Sequence, residues 1–233
     1  VDISADTGTA ADDFNTKTAA QTLTGTLSAA MEGDDVLEVS VNAGSSWSTV
    51  TNDVTGTPDV DLSTAITLSG TSAIHLRITD DAGNVGTADT TSYILDTTAP
   101  TISFSSVDIS ADTGTSDSDF ETKTAAQTLT ATLSAAMASD DILEVSVNAG
   151  GAWSTVTNDV TGSPDVSLST AITLTDDTTS AIHLRITDDA GNVGTADTTS
   201  YTHDDTAPTT TYATVDISAD TGTSATDFNT NTA

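Results

Sequence analysis

Leu37, Val39 and Val41 alternate with Glu38 and Ser40, and Ile74, Leu76 and Ile78 alternate with His75 and Arg77. An apolar residue at every second position gives an extended strand one face for a core and one for solvent. β-Branched Thr and Val are abundant and strong helix formers are sparse, which favours strands throughout. Turn chemistry separates these runs: "NAGSS" at Asn42, "TGTPD" at Thr55 and "DDAGN" at Asp80. About seven short strands per hundred residues, with turns every 8–12 residues, predict an all-β immunoglobulin-like sandwich.

The pattern repeats. "VDISADTGT" begins at Val1, Val107 and Val215, a period of about 107 residues, and "AIHLRITDDAGNVGTADTTSY" begins at Ala73 and Ala181. That period suits a whole domain rather than a solenoid unit. The expected organisation is repeat 1 over residues 1–96, lacking the start of its first strand, repeat 2 over 97–204, and the opening strand and loop of repeat 3 over 205–233. The domains are expected to lie end to end, and the segment reads as a window on a longer protein. In repeat 2 the strands are expected at 101–110, 126–133, 142–148, 153–157, 166–174, 181–187 and 193–202. Repeat 2 has two extra residues, which fall in the polar stretch "TLTDDTTSA". Proline-bearing "LDTTAP" and "HDDTAP" mark the junctions. Predicted core residues are Leu23, Leu27, Val39, Val41, Ile74, Leu76 and Ile78, with their counterparts one repeat later.

Charge then narrows the partners. The chain carries 35 acidic residues against four Lys and Arg, a formal net charge of −31. Nucleic acid and anionic membranes call for basic surface, so neither is expected as a partner. The sequence shows no membrane span, lipidation signal or signal peptide, so no direct membrane insertion is expected. There is no cysteine. The three histidines form no nucleophile–His–acid set or zinc spacing, and no phosphate loop is present, so no enzyme is expected.

The ordered series "DTTAPTISFSSVDISADTGT…DF…T…QTLTATLS", "VSVNAGGAWSTV" and "RITDDAGNVG" resembles the bacterial Ig-like repeats of giant surface adhesins, the Bap-like and RTX-type biofilm proteins of Gram-negative bacteria. The resemblance covers essentially the whole chain. It implies extracellular extender domains of a secreted, cell-anchored fibre, with calcium (Ca2+) at the junctions between repeats. The glycine-rich nonapeptide repeats and any lectin-like module are missing from this segment.

Sandwich topology points to the same junctions. The loop after the first strand lies at the pole from which the last strand leaves, and loops of the following domain face that pole. Asp6, Asp12 and Asp13 of the first loop, Asp96 of the linker, and Asp140, Asp141, Asp188, Asp189 and Asn192 of repeat 2 are therefore expected to converge. Asp112, Asp119, Asp204 and Asp205 are the counterparts at the next junction. Crowded carboxylates repel, and a hard cation taking 6–8 oxygens relieves that. The plain alternative is that these are turn-forming residues. The pairs Asp13–Phe14, Asp119–Phe120 and Asp227–Phe228 recur, with each phenylalanine expected to plug the end of a core.

His75 and His183 are expected as plain surface residues, Trp47 and Trp153 as core or rim packing. Glu38 and Glu144 point outward with no obvious acid–base partner. Three functions stay open: a structural spacer, a carbohydrate-binding or homophilic adhesion module, and accessory domains of an extracellular enzyme. Neighbouring repeats of the same chain are the expected partners. A head-to-tail contact between chains is a further possibility, because the repeat-3 strand "TAPTTTYATVDIS" offers one face to a partner.

Overall fold

The computed structural model describes residues 1–50, 54–56, 59–157, 160–162, 165–175, 178–224 and 226–232. It is all-β. The strands of the first unit are β1 (Asp2–Ile3), β2 (Asn15–Thr16), β3 (Ala20–Thr26), β4 (Val36–Ser40), β5 (Ser48–Thr49), β6 (Val54–Gly56), β7 (Asp59–Thr67), β8 (Thr71–Thr79) and β9 (Asp89–Leu95). The second has β10 (Phe104–Ile109), β11 (Glu121–Thr122), β12 (Ala126–Leu133), β13 (Ile142–Ser146), β14 (Ser154–Val156), β15 (Val160–Gly162), β16 (Asp165–Thr173), β17 (Thr178–Thr187) and β18 (Asp197–His203). Each unit pairs a four-stranded sheet, β1-β3-β7-β6 or β10-β12-β16-β15, with a five-stranded one, β2-β9-β8-β4-β5 or β11-β18-β17-β13-β14. The predicted turn "TGTPD" and the two-residue insertion include Thr57, Pro58, Asp176 and Asp177, which lie outside the described residues.

The alternation does what its period requires. Along β12 the inward Gln127, Leu129, Ala131 and Leu133 are buried and the residues between them exposed. They pack on Leu143, Val145, Ile182, Leu184 and Ile186 of the opposite sheet. The last strand begins later than the alternation from Val193 suggests. Val193 makes only an isolated bridge to Thr187, and regular pairing starts at Asp197. The strand Val160–Gly162 is an addition that the hydrophobic pattern did not mark.

The cores of the two near-copies differ in burial at one end. Leu133, Leu184 and Ile186 are buried, while Leu27, Leu76 and Ile78 are only partly so. In the second unit Phe104 pairs opposite Leu133 and caps these side chains, and Ile102 packs beside it. In the first unit Leu27, Leu76 and Ile78 line a groove together with Val1.

On the outer face of the five-stranded sheet, Glu38 and Glu144 have partners that outward alternation alone did not reveal. Arg77 Nε donates to Glu38 Oε2 at 2.8 Å, and Arg185 Nε to Glu144 Oε2 at 2.8 Å. The Arg77 hydrogen bond holds the Glu38 carboxyl below the usual range. Burial pushes Glu144 up, but Arg185 and Thr187 outweigh it, and its carboxyl also sits low. Each guanidinium lies 3.8 Å from the ring centroid of Trp47 or Trp153. His75 and His183 meet these rings edge-on. The histidines are thus packing residues, and arginine covers one face of each tryptophan.

Tyr201 is almost fully buried. Its hydroxyl donates to Val147 O at 2.6 Å and accepts from Thr175 N at 3.2 Å. Replacing it with Phe leaves Val147 O with only the longer bond from Ser180 Oγ at 3.4 Å, so Tyr201→Phe is expected to cost the second unit about 1–3 kcal/mol. Urea unfolding followed by Trp153 fluorescence checks this, and an unchanged midpoint would show that the hydroxyl contributes nothing.

Candidate functional site: the junction between repeats

The loop between the first strand and β3 crosses from one sheet to the other. It begins at Ser4 and ends in β2, which lies parallel to β9 with Asn15 opposite Ile94 and Thr16 opposite Leu95. Two buried side chains fix its base. Gln21 accepts from Ala5 N and donates to Ala5 O and Thr18 O, at 2.8, 3.0 and 2.7 Å. Thr16 Oγ1 donates to Ala5 O. Gln127 and Thr122 repeat the arrangement on Ala111 and Thr124. Sequence reasoning missed this glutamine, although a polar residue at an inward position of "AAQTLT" is the signal that could have found it.

Asp6 closes the loop. Its Oδ2 accepts from Phe14 N at 2.9 Å, Asp112 does the same for Phe120 at 2.9 Å, and Asp220 for Phe228 at 3.1 Å. These phenylalanines sit at φ 60°, 60° and 55°, a left-handed conformation that L residues adopt only when held. Phe14 is buried in the first core, as expected of a plug, and Phe120 packs against the second. Phe228 is exposed.

The remaining oxygen of each closing aspartate is the conspicuous feature. Asp6 Oδ1, Asp112 Oδ1 and Asp220 Oδ1 are all buried without a hydrogen-bond partner, and so is Asn15 Oδ1. Burial pushes the Asp6 carboxyl above the usual aspartate range; the Phe14 N–H pulls it back, and the adjacent Asp13 pushes it further up. Asp13 Oδ1 accepts from Asn15 N at 2.8 Å. Among the described residues, no three side chains of His, Cys, Asp or Glu gather as a metal site would need. Asp6 and Asp13 interact directly, and Asp13 in turn holds the backbone of Asn15.

The Asp188–Asn192 turn of the second unit docks on this loop. Thr9 N donates to Asp189 O at 3.1 Å and Thr9 Oγ1 to Asp189 Oδ1 at 2.9 Å. Asn15 Nδ2 donates to Asp189 Oδ2, Thr7 Oγ1 to Ala190 O, and Lys17 Nζ to Gly191 O, at 2.5, 2.7 and 2.5 Å. Asn192 Nδ2 reaches the linker at Asp96 O, 2.9 Å away. Ala190 and Asn192 are buried, whereas Ala82 and Asn84 of the same turn in the first unit are exposed.

The structure thus brings Asp6, Asp13, Asp96, Asp189 and Asn192 to one junction. Asp188 lies there too, but both its oxygens accept from Asn192 within the turn. Asp12 is exposed, and no contact ties it to the second unit. Asp140 and Asp141 make local turn bonds with Ser139 and Ala138. At the far pole Asp112, Asp119 and Asp204 repeat the places of Asp6, Asp13 and Asp96, with Asp205 beside them. Asp204 N donates to Thr122 O just as Asp96 N does to Thr16 O. Glu121 stands there in place of Asn15.

No family model and no curated protein matches the chain. A solved structure described as a biofilm-associated protein BSP domain is similar at 18% identity and a TM-score of 0.25, over 82% of this chain and 28% of that one. This chain therefore spans little more than a quarter of that protein, and the sandwich architecture rests on the sheets themselves. Among the described residues no helix is long and apolar enough to cross a membrane.

Two substitutions test the junction. A Cβ on Gly191 would fall 2.3 Å from Thr7 O, whereas one on Gly83, at the same φ of 85°, meets nothing within 4 Å. Gly191→Ala is therefore expected to speed proteolysis of the Asp96–Pro100 linker several-fold while Gly83→Ala leaves it unchanged; equal effects would mean that only backbone strain matters. Asp6→Asn keeps an acceptor for Phe14 N–H and removes the disfavoured charge. Because the folded-state value of Asp6 is raised, its contribution to stability is full below the ordinary aspartate value and lost as pH rises through the raised one. In chelator at neutral pH, Asp6→Asn should melt no lower than wild type, with any gain vanishing as the solution is acidified. A melt several degrees lower at neutral pH would show that the charge itself is needed.

Proposed function

We propose that the chain is a run of structural extender repeats from a large bacterial cell-surface adhesin, acting outside the cell and stiffened by calcium at the joints between repeats. The observation that carries this reading is the docked turn: the Asp188–Asn192 turn is held by Thr7, Thr9, Asn15 and Lys17 of the preceding unit and by the linker. A joint gripped on three sides suits a spacer, since relative motion is otherwise the default for domains in small polar contact. The ordered motifs shared with adhesin repeats support the same reading.

Calcium fits the residues present. Asp6 and Asp13 supply adjacent carboxylates, and Asp6 Oδ1 and Asn15 Oδ1 are buried oxygens with no donor. These three side chains, drawn together with Asp189 and Asp96 from across the joint, would supply the oxygen-rich and irregular kind of set that calcium accepts more readily than magnesium. Bound there, the ion would offset the burial and the Asp13 repulsion that raise Asp6 and would tie loop, linker and following turn together. Extracellular sites of this class fill at about 10⁻⁴–10⁻³ M. The arginine laid over Trp47 and Trp153 disfavours sugar stacking on those rings, which weighs against a carbohydrate-binding role.

Small-angle scattering with calcium and with EGTA, alongside thermal melts, tests the proposal. Calcium at several millimolar is expected to lengthen the maximum dimension and to add on the order of 1 kcal/mol per occupied site. Asp13→Asn and Asp96→Asn retain the acceptors for Asn15 N and Thr98 N yet lose charge, so both should blunt the response. Wild-type length and melting that ignore millimolar calcium would reduce these aspartates to turn residues.

A further inference from the structure

Both carboxylate oxygens of Asp189 are satisfied by the preceding loop. Oδ1 accepts from Thr9 Oγ1 at 2.9 Å and Oδ2 from Asn15 Nδ2 at 2.5 Å. The backbone around them is held as well: Asp189 O by Thr9 N at 3.1 Å, Ala190 O by Thr7 Oγ1 at 2.7 Å and Gly191 O by Lys17 Nζ at 2.5 Å. Gly8 leaves room for this approach, since a Cβ there would fall 2.9 Å from Asp189 O. These bonds all run one way. The loop donates and the turn accepts, so the contact needs no cation between its two sides.

The turn is the same in both units, "DDAGN" at Asp80 and at Asp188. The loop is not. Thr7, Gly8 and Thr9 recur as Thr113, Gly114 and Thr115 and again as Thr221, Gly222 and Thr223. Among the residues that grip the turn, only positions 15 and 17 change: Asn15 and Lys17 become Glu121 and Lys123, then Asn229 and Asn231. Lys17 meets its carbonyl on the exposed rim, whereas Asn15 is buried at 7% exposure and faces the Asp189 carboxylate. Asn15 Oδ1 is left without a donor, so the amide is turned to serve that carboxylate rather than its own loop. An ionised glutamate in its place has no N–H to give, and it sets a like charge against Asp189 in a contact largely closed to water.

We propose that residue 15 of the loop decides whether a joint closes unaided: asparagine latches the acidic turn of the next repeat directly, and glutamate, as at Glu121, holds it off. Thr7, Thr9 and Lys17 supply affinity for any turn of this backbone shape, while residue 15 reads the carboxylate and supplies the discrimination. The proposal rests on the extender reading for the premise that repeats of this kind follow one another. Taken with the calcium reading, joints of the glutamate kind are the ones an ion has to close, so a fibre built from both kinds has fixed joints and calcium-dependent ones.

Two neighbouring amides test this by hydrogen exchange. Thr9 N–H is bonded across the joint to Asp189 O, and Gly8 N–H within the loop to Asn15 O at 3.0 Å. The first reports docking and the second the loop's own integrity. In EGTA, Thr9 of the wild-type chain is expected to be protected, and Asn15→Glu to speed its exchange about tenfold while Gly8 changes little. Asp189→Asn then gives a reversal of sign. In the wild-type loop it removes the charge that Asn15 binds and speeds Thr9 exchange. In the Asn15→Glu background it removes the repulsion, restores an amide–carboxylate pair and slows the exchange, a coupling that stays readable even if Asn15→Glu loosens the loop. The same direction in both backgrounds would overturn the proposal. So would Thr9 exchange that ignores Asn15→Glu, or a wild-type Thr9 amide that exchanges freely in EGTA. Millimolar calcium is expected to restore Thr9 protection to Asn15→Glu; if it does not, while the results in EGTA are as expected, the calcium reading fails and the latch stands.

Discussion

A single hydrogen bond, from the Phe14 backbone N–H to the Asp6 carboxylate, organises the pole on which the next repeat sits. It turns the chain through a left-handed phenylalanine, drops that ring into the end of the core and lays Asn15 and Thr16 alongside the last strand. Without this crossing the first strand would stay in one sheet and the loop would have no fixed shape to offer. The bond also recurs at Asp220–Phe228, where the ring is exposed. The loop is therefore encoded locally, by an aspartate and a phenylalanine eight residues apart, and the core accepts it rather than shapes it. That is the physical answer to why the chain keeps "SAD" and "DF" in all three copies.

Closing the loop with a carboxylate has a cost, because one oxygen serves the N–H and the other is left buried without a donor. A serine or asparagine could accept the same bond without burying charge. An aspartate beside a second aspartate makes sense if a cation completes it. In the ion's absence the direct clasp of Thr9, Asn15 and Lys17 on the following turn would hold the joint in register. Neutral Asn15 and cationic Lys17 are what allow the acidic turn to approach. Where Glu121 replaces Asn15, that neutral donor is gone, so successive joints along such a chain need not be equally strong.

Period-two alternation made the sandwich legible, and the turn residues placed most of its strands to within a few positions. Convergence of the first loop, linker and following turn was legible too, because strand polarity alone dictates which loops share a pole. Other features were not. β2 spans two residues with no alternation to detect, and its parallel pairing with β9 arises only once the sheets face each other. The Arg77–Glu38–Trp47 stack joins β8, β4 and the residue just before β5 through side chains on the polar face, where a hydrophobic pattern says nothing. Leu27, Leu76 and Ile78 read as core by pattern but are only partly buried, whereas their counterparts Leu133, Leu184 and Ile186, near Phe104, are buried.

That last difference shows how the fold divides its labour. The second half of the first strand, with the loop it leads into, binds to its own sandwich through Ile3 or Ile109. The first half binds through one aromatic ring and a few edge hydrogen bonds, and it follows directly from the proline linker. The element that seals each core is thus the same element that connects it to its neighbour. The Phe104 ring, 9% exposed and packed in a core cluster drawn from both sheets, holds that half-strand in place. The docked Asp188–Asn192 turn lies at the same pole and shares the linker through Asp96. Tightening the joint therefore shields the seal, and a stiff junction and an intact core become one mechanical property rather than two.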